Sequence, residues 1–284
     1  METKRNTAIK YMIIASVLWS IGGIFIKRIN WNPRAIAGSR SAIAALVMMV
    51  YLKKFKFKIN KSMLICACSY SLLVILFVSA NKLTTSANAI LLQFTSPVWV
   101  ALLSRAILKQ KISRIDGITI IFVILGMIMF FIDELEMSYL LGNILAILSG
   151  IVMAGMILLF QQQKENSLVE ITLLGNVITA IVGIPFYFIS SPGMESVLPL
   201  FILGVFQLGI PYLLYVLAIP NVTAIDAVLI PVLEPLLNPL WVFIFAKESP
   251  TLFSLLGGSL VLLSVTVRGI IMSKKLDQID SPST

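Results

Sequence analysis

The sequence predicts an all-α integral membrane protein: ten transmembrane helices arranged as two inverted five-helix repeats. Three observations predict it. Of 284 residues, 58% are hydrophobic and only 12% charged, with a mean hydropathy of +0.98, whereas soluble domains carry about twice that charge. The apolar runs are long and apolar all round, with charge confined to the gaps between them, as expected of helices whose solvent is lipid rather than water. The sequence also resembles itself at a shift of 138 positions.

At roughly 17–25 residues per crossing, the first span covers 8–28. Lys4, Arg5 and Lys10 precede its apolar run from Tyr11 to Ile26, which ends in Lys27-Arg28 without a small-residue cleavage site. It therefore reads as a retained helix and not a secretory signal. The second span covers 33–52, the third 62–81, the fourth 84–107 and the fifth 115–132. The sixth to eighth cover 138–161, 168–190 and 197–218, the ninth 223–246 and the tenth 251–272. The two repeats are residues 1–136 and 137–284, and the gaps leave no room for a soluble domain.

Basic residues set the orientation. With the N-terminus in the cytoplasm, Lys53, Lys54, Lys56, Lys58 and Lys61 lie inside, as do Lys109, Lys111, Arg114, Lys274 and Lys275. Asp133, Glu134, Glu136 and Glu195 fall outside, in line with the positive-inside bias; Lys27, Arg28 and Arg34 run against it. The expected location is the cytoplasmic membrane with both termini inside. The net charge of +9 is thus a topology signal and not a nucleic-acid patch. Cys66 and Cys68 sit two apart in one apolar run, which argues against a disulfide or metal pair, and there is no histidine. No metal or cofactor is expected.

At the 138-residue shift, Thr85 meets Thr223, Ala89 meets Ala227, Pro97 meets Pro235 and Lys109 meets Lys247. Matching Thr, Pro and Lys carry more weight than matching Leu. Because five is odd, the second copy enters the membrane from the opposite side. Inverted repeats of this kind build alternating-access transporters with the site near the midplane at the repeat interface.

Trp19-Ser20, the stretch from Pro33 to Arg40, and Thr84-Thr85-Ser86-Ala87 through Pro97 to Lys109 resemble the drug/metabolite transporter superfamily, in its EamA-type branch. Val222-Thr223-Ala224 through Leu233-Glu234-Pro235 to Lys247-Glu248 resembles that family's other repeat, while Gln110 stands where the family usually has Glu. The resemblance covers nearly the whole chain. It implies a central cavity lined mainly by the first, third, fourth, sixth, eighth and ninth helices, and it fixes no substrate.

Glu234 is the leading site candidate. It lies within the ninth span with no Lys or Arg within ten residues, where an ionised carboxylate costs about 2.5–3.5 kcal/mol. Such residues face the bundle interior or a wet cavity; helix–helix hydrogen bonding is the competing role. Pro231, Pro235 and Pro239 each remove a backbone donor, freeing the carbonyls of Ala227, Pro231 and Pro235. Asn238 shares the face of Glu234 one turn on. Pro97 is the corresponding break in the fourth span. Asp226 fits a capping box with Thr223, which explains it locally, and the first repeat has Thr85 and Asn88 in those places.

Arg40 snorkels, pairs with Glu234 or attracts an anionic substrate. Gln93 and Gln207 serve either a cavity or helix–helix contact. Trp19, Tyr212 and Tyr215 form either an aromatic wall, suited with a carboxylate to ammonium groups, or ordinary packing. Trp31 belongs to the outer aromatic belt. Gly22-Gly23, Gly150 with Ala154, and Gly257-Gly258 permit close helix approach.

The leading functional expectation is a secondary transporter of a small organic metabolite (amino-acid-like, amine or related), coupled to protons through Glu234 or to no ion. The alternatives are an uptake carrier for choline-like or amine cations and a non-transporting membrane subunit. No phosphate-binding loop, HExxH or nucleophile–base spacing is present, so an ATPase or an enzyme is not expected. The expected partners are a small-molecule substrate and the lipid bilayer, with a homodimer left open.

Overall fold

The computed structural model describes residues 2–53, 59–107, 112–132, 139–163, 168–237 and 251–280, and every regular element among them is helical. Most loop lysines and acids used above to orient the chain, together with Gln110, Asn238, Pro239, Lys247 and Glu248, lie outside the described residues.

The second span is α3 (Pro33–Leu52). Asn32 caps it by accepting from the Arg34 amide, with Pro33 at its first position, where no amide partner is needed. The third is α4 (Lys61–Leu83), capped by Asn60 on the Met63 amide. The fifth is α7 (Arg114–Phe131), opened by a reciprocal capping box between Ser113 and Asp116. The sixth and seventh are α8 (Leu140–Gln161) and α9 (Leu168–Tyr187), and the tenth is α14 (Leu252–Asp280).

The other four spans are interrupted. The first divides into α1 (Glu2–Trp19) and α2 (Gly22–Arg28), and the fourth into α5 (Ser86–Gln93) and α6 (Ser96–Ile107). The second break follows from Pro97, which lacks the amide that the Gln93 carbonyl would accept. The eighth span passes from α10 (Val197–Ile202) through a π-helical segment, Leu203–Gly209, into α11 (Ile210–Ala218). The ninth runs from α12 (Ala224–Leu229) through a 3-10 turn, Ile230–Val232, into α13 (233–237). Five helical stretches, Pro33–Leu52, Lys61–Leu83, Leu140–Gln161, Leu168–Tyr187 and Met194–Asn221, are long and apolar enough to cross a membrane.

Burial is inverted relative to a soluble protein. Leu46, Val50, Leu125, Leu140 and Leu263 face outward, while Arg40, Asn81, Gln93, Asn176, Gln207 and Glu234 are buried. Lipid-facing helices need no polar surface, so the polar groups turn to one another. Glycines set the closest crossings. A Cβ on Gly38 of α3 would lie 2.8 Å from the Gly183 Cα of α9, and one on Gly150 of α8 would lie 2.6 Å from the Gln93 carbonyl oxygen.

Hydrogen bonds define two ends of the bundle. At the end carrying the start of α1, Gln161 donates to the Val222 carbonyl and Gln163 to the Ser62 hydroxyl. At the opposite end Lys27 donates to the Thr84 carbonyl, Lys82 to the Ile29 carbonyl, and Trp31, stacked on Tyr187, to the Ser190 carbonyl.

Candidate central cavity

All four interruptions converge on one place. A narrow cavity of about 30 Å³, room for only a water or two, is lined by Trp19 at the end of α1, Arg40 of α3, Leu73, Val74 and Phe77 of α4, and Gln93 at the end of α5. Met153 of α8, Gln207 and Leu208 of the π segment, Tyr212 of α11 and Glu234 of α13 complete it. Broken helices leave backbone groups that lipid cannot satisfy, so they belong against protein or a cavity. Side chains meet several of them. Ser20 donates to the Val17 carbonyl, Thr95 to the Leu92 carbonyl and Trp99 in turn to Thr95.

The polar lining is sparse and mostly unpaired. Arg40 is only 2% exposed; its Nη1 donates to Gln207 Oε1 at 2.9 Å, and its Nε has no partner. The indole Nε1 of Trp19, also buried, likewise has none. Glu234 is 9% exposed, and no ion pair with Arg40 occurs among the described residues. Arg40 and Glu234, the pair entertained from the sequence, interact electrostatically across the cavity without a direct ion pair, and Arg40 hydrogen-bonds the neutral amide of Gln207. The aromatic side of the cavity is a cluster in which the Trp19 ring meets Tyr212 at 5.0 Å and Tyr215 at 5.1 Å, and Tyr212 meets Tyr70 at 4.8 Å.

Six of the eight residues picked from the sequence as substrate contacts thus share one cavity: Trp19, Arg40, Gln93, Gln207, Tyr212 and Glu234. Tyr215 packs behind the lining. Its hydroxyl donates to the Ala227 carbonyl at 2.7 Å, the acceptor that Pro231 frees. Asn238 and Pro239 lie outside the described residues. Asp226 forms its capping box with Thr223, as its spacing suggests.

A second polar cluster was not anticipated. Arg268 of α14, 4% exposed, donates from Nε to Asp116 at 2.8 Å and from Nη1 to Asp226, while Arg5 lies 3.6 Å from Asp226. In sequence Arg268 looks like an end-of-helix snorkelling residue, and each aspartate already has a complete local role as a cap. At the opposite end, Asn88 donates to Asn143 Oδ1 at 3.0 Å and to the Thr84 hydroxyl at 3.1 Å.

A chain whose described residues are all helical or connecting, with an apolar outer surface around a buried polar cavity where its helices break, is a multi-pass membrane protein. The model of the EamA-like transporter family matches it twice, over residues 6–132 and 140–268, and the chain belongs to that family. It is 22% identical over 257 residues to an uncharacterized transporter of Archaeoglobus fulgidus, covering 90% of this chain and 94% of that protein. Among solved structures, one crystal structure of a protein superposes with a TM-score of 0.79 at 14% identity, covering 93% of this chain and 98% of the other. At that identity the likeness speaks for the fold alone.

Proposed function

We propose that this chain is a secondary transporter that carries a small organic metabolite across the cytoplasmic membrane by alternating access. It does so through ten transmembrane helices in two inverted repeats, 1–136 and 137–284, with both termini in the cytoplasm. The observation that carries this reading is the central cavity, whose lining buries a carboxyl group and a guanidinium together at the helix breaks. Ionisable groups at membrane depth are costly, and such residues mark solute and ion pathways.

The repeat reading draws support from the two segments matched by the family model and from paired contacts. A shift of 138 turns Asn88 into Asp226 and Arg5 into Asn143. The Asn88–Asn143 contact at one end therefore corresponds to the Arg5–Asp226 contact at the other. Symmetry-related contacts at opposite ends are what two exchangeable gates around a fixed site require.

Glu234 is the group on which proton coupling rests. The test is solute flux into proteoliposomes with and without an imposed pH gradient. The expected outcome is that Glu234→Gln abolishes the stimulation by the gradient; an unchanged rate and an unchanged pH response would remove the proton role. The choline-like reading keeps Glu234 and the aromatic wall, but it must place a cation beside Arg40, which weakens it.

A further inference from the structure

The charged cluster at the start of α1 stands at the head of a groove. A recess of about 220 Å³ runs between α1, the segment from α12 to α13, and α14. Ile9 and Ile13 form one wall, Leu233 and Leu236 the second, and Leu262 and Val265 the third. Ile13 is 39% exposed and Leu262 45%, so the groove opens on the apolar outer surface that a bilayer covers. Its polar end is made by Arg5, Asp226 and Arg268. An apolar slot with guanidinium groups at one end matches the layout of a phospholipid, a chain below and a phosphate above.

The two arginines are held differently. Arg268 is buried and bonds both Asp116 and Asp226. The Arg5 side chain is 19% exposed and comes only within 3.6 Å of Asp226. Asp226 keeps Arg268 when Arg5 turns away, so Arg5 can take a second anion without stranding a buried carboxylate. A phosphate diester suits it, because a guanidinium meets two phosphate oxygens through parallel N–H bonds. Arg5, Ile9 and Ile13 follow one another at intervals of four, which puts the headgroup contact and the chain contacts along one face of α1.

The surrounding charge has the right sign. Residues 2–10 of α1 and the starts of α7 and α12 carry Lys4, Arg5, Lys10 and Arg114 against Glu2, Asp116 and Asp226, and Arg268 adds a fifth cation. The proposed orientation puts this end in the cytoplasmic leaflet, where basic pockets between helices select anionic headgroups. The repeat scaffold does not require these arginines. A shift of 138 positions turns Arg5 into Asn143 and Arg268 into Phe130, whose ring lies against Gly258.

We infer that this groove binds one anionic phospholipid, with an acyl chain between α1, α13 and α14 and the phosphate on Arg5. The site is separate from the central cavity and stands whether or not that cavity carries a solute.

The test is native mass spectrometry of the purified full-length protein, titrated in detergent with phosphatidylglycerol or phosphatidylcholine of identical chains. The protein should retain one phosphatidylglycerol at least fivefold more than one phosphatidylcholine. Arg5→Ala should bring that ratio close to one, and Arg5→Lys should keep a preference for the anionic lipid. Lys4→Ala removes the same charge from a residue that faces a different recess, beside Tyr11 and Leu217, and should leave the ratio unchanged within twofold. Ile13→Trp fills the groove and spares Arg5, so retention of both lipids should fall several-fold. Glycerol 1-phosphate at the same concentration should displace neither.

Equal retention of the two lipids overturns the inference, as does a preference that survives Arg5→Ala. An equal loss in Lys4→Ala and Arg5→Ala would reduce the preference to diffuse surface charge. Displacement by glycerol 1-phosphate would make the site one for free phosphate, and a dimer that Ile13→Trp dissolves would seat a second copy of the chain in the groove; either result sinks the lipid assignment.

Discussion

Pro231 takes away the amide that the Ala227 carbonyl would meet one turn later, and the Tyr215 hydroxyl replaces it at 2.7 Å in a fully buried position. Tyr215 is thus a backbone partner whose ring also supports Trp19. Tyr215→Phe keeps that ring contact and strands one buried acceptor, which costs about 1 kcal/mol. The apparent Tm in detergent should fall by roughly 2–4 °C, with ligand affinity unchanged within twofold. A larger effect on affinity than on Tm would return Tyr215 to the substrate contacts. The sequence made Tyr215 and Tyr212 look alike because both are aromatic residues of one apolar run. What separates them is a partner twelve residues away, on a helix whose proline break is legible but whose neighbour is not. Glu234 and Arg40 were legible for the opposite reason: a charge in an apolar run is expensive wherever it points, so its presence alone carries information.

At the scale of elements, Arg268 ties α14 to the starts of α7 and α12 by bridging Asp116 and Asp226, each the third residue of its helix and each already bonded to its own cap. The aspartates thereby serve two functions at once, lowering the cost of free amides at a helix start and neutralising a buried guanidinium. Removing the guanidinium leaves the buried carboxylate of Asp116 without its charged partner and Asp226 with only the partly exposed Arg5, so Arg268→Leu should destabilise the protein by about 3–5 kcal/mol. Arg5 is partly exposed and 3.6 Å from Asp226; Arg5→Ala should cost less than about 1 kcal/mol. Thermal unfolding of the two variants side by side checks the ranking, and equal losses would mean that Arg268 is not the centre of the cluster. Helix boundaries such as 33–52 were readable because Asn32-Pro33 is a start signal written in neighbouring residues. The π segment at 203–209 was not, since no residue type marks it: it exists because Gly204 and Gly209 let it press against Ile43 and Val47 of α3.

For the whole molecule, the repeat shift makes a mechanical statement. If residues 1–136 and 137–284 exchange conformations, contacts related by 138 positions cannot be equally tight in one state. The structure shows such a difference: Asn88 and Asn143 are hydrogen-bonded at 3.0 Å, whereas Arg5 stands 3.6 Å from Asp226. The amide end relies on short neutral bonds between α5 and α8, and the charged end adds the deeper Arg268 anchor. Alternating access then requires the Asn88–Asn143 contact to open once per cycle. Cysteines at these two positions, in a chain whose Cys66 and Cys68 are replaced by alanine, allow that contact to be locked by a short bifunctional thiol reagent that reducing agent cleaves. Flux in proteoliposomes should fall at least tenfold on cross-linking and recover on reduction, while either single cysteine treated in the same way keeps its activity. Undiminished flux through the cross-linked protein would show that α5 and α8 move as one body, and would place the moving boundary elsewhere in the bundle. The Arg5 contact supplies the complementary reading. Weakening the charged end with Arg5→Ala should favour the state open at that end, seen as faster labelling by a water-soluble maleimide of a cysteine placed at Leu229, on the α12 wall beneath Asp226.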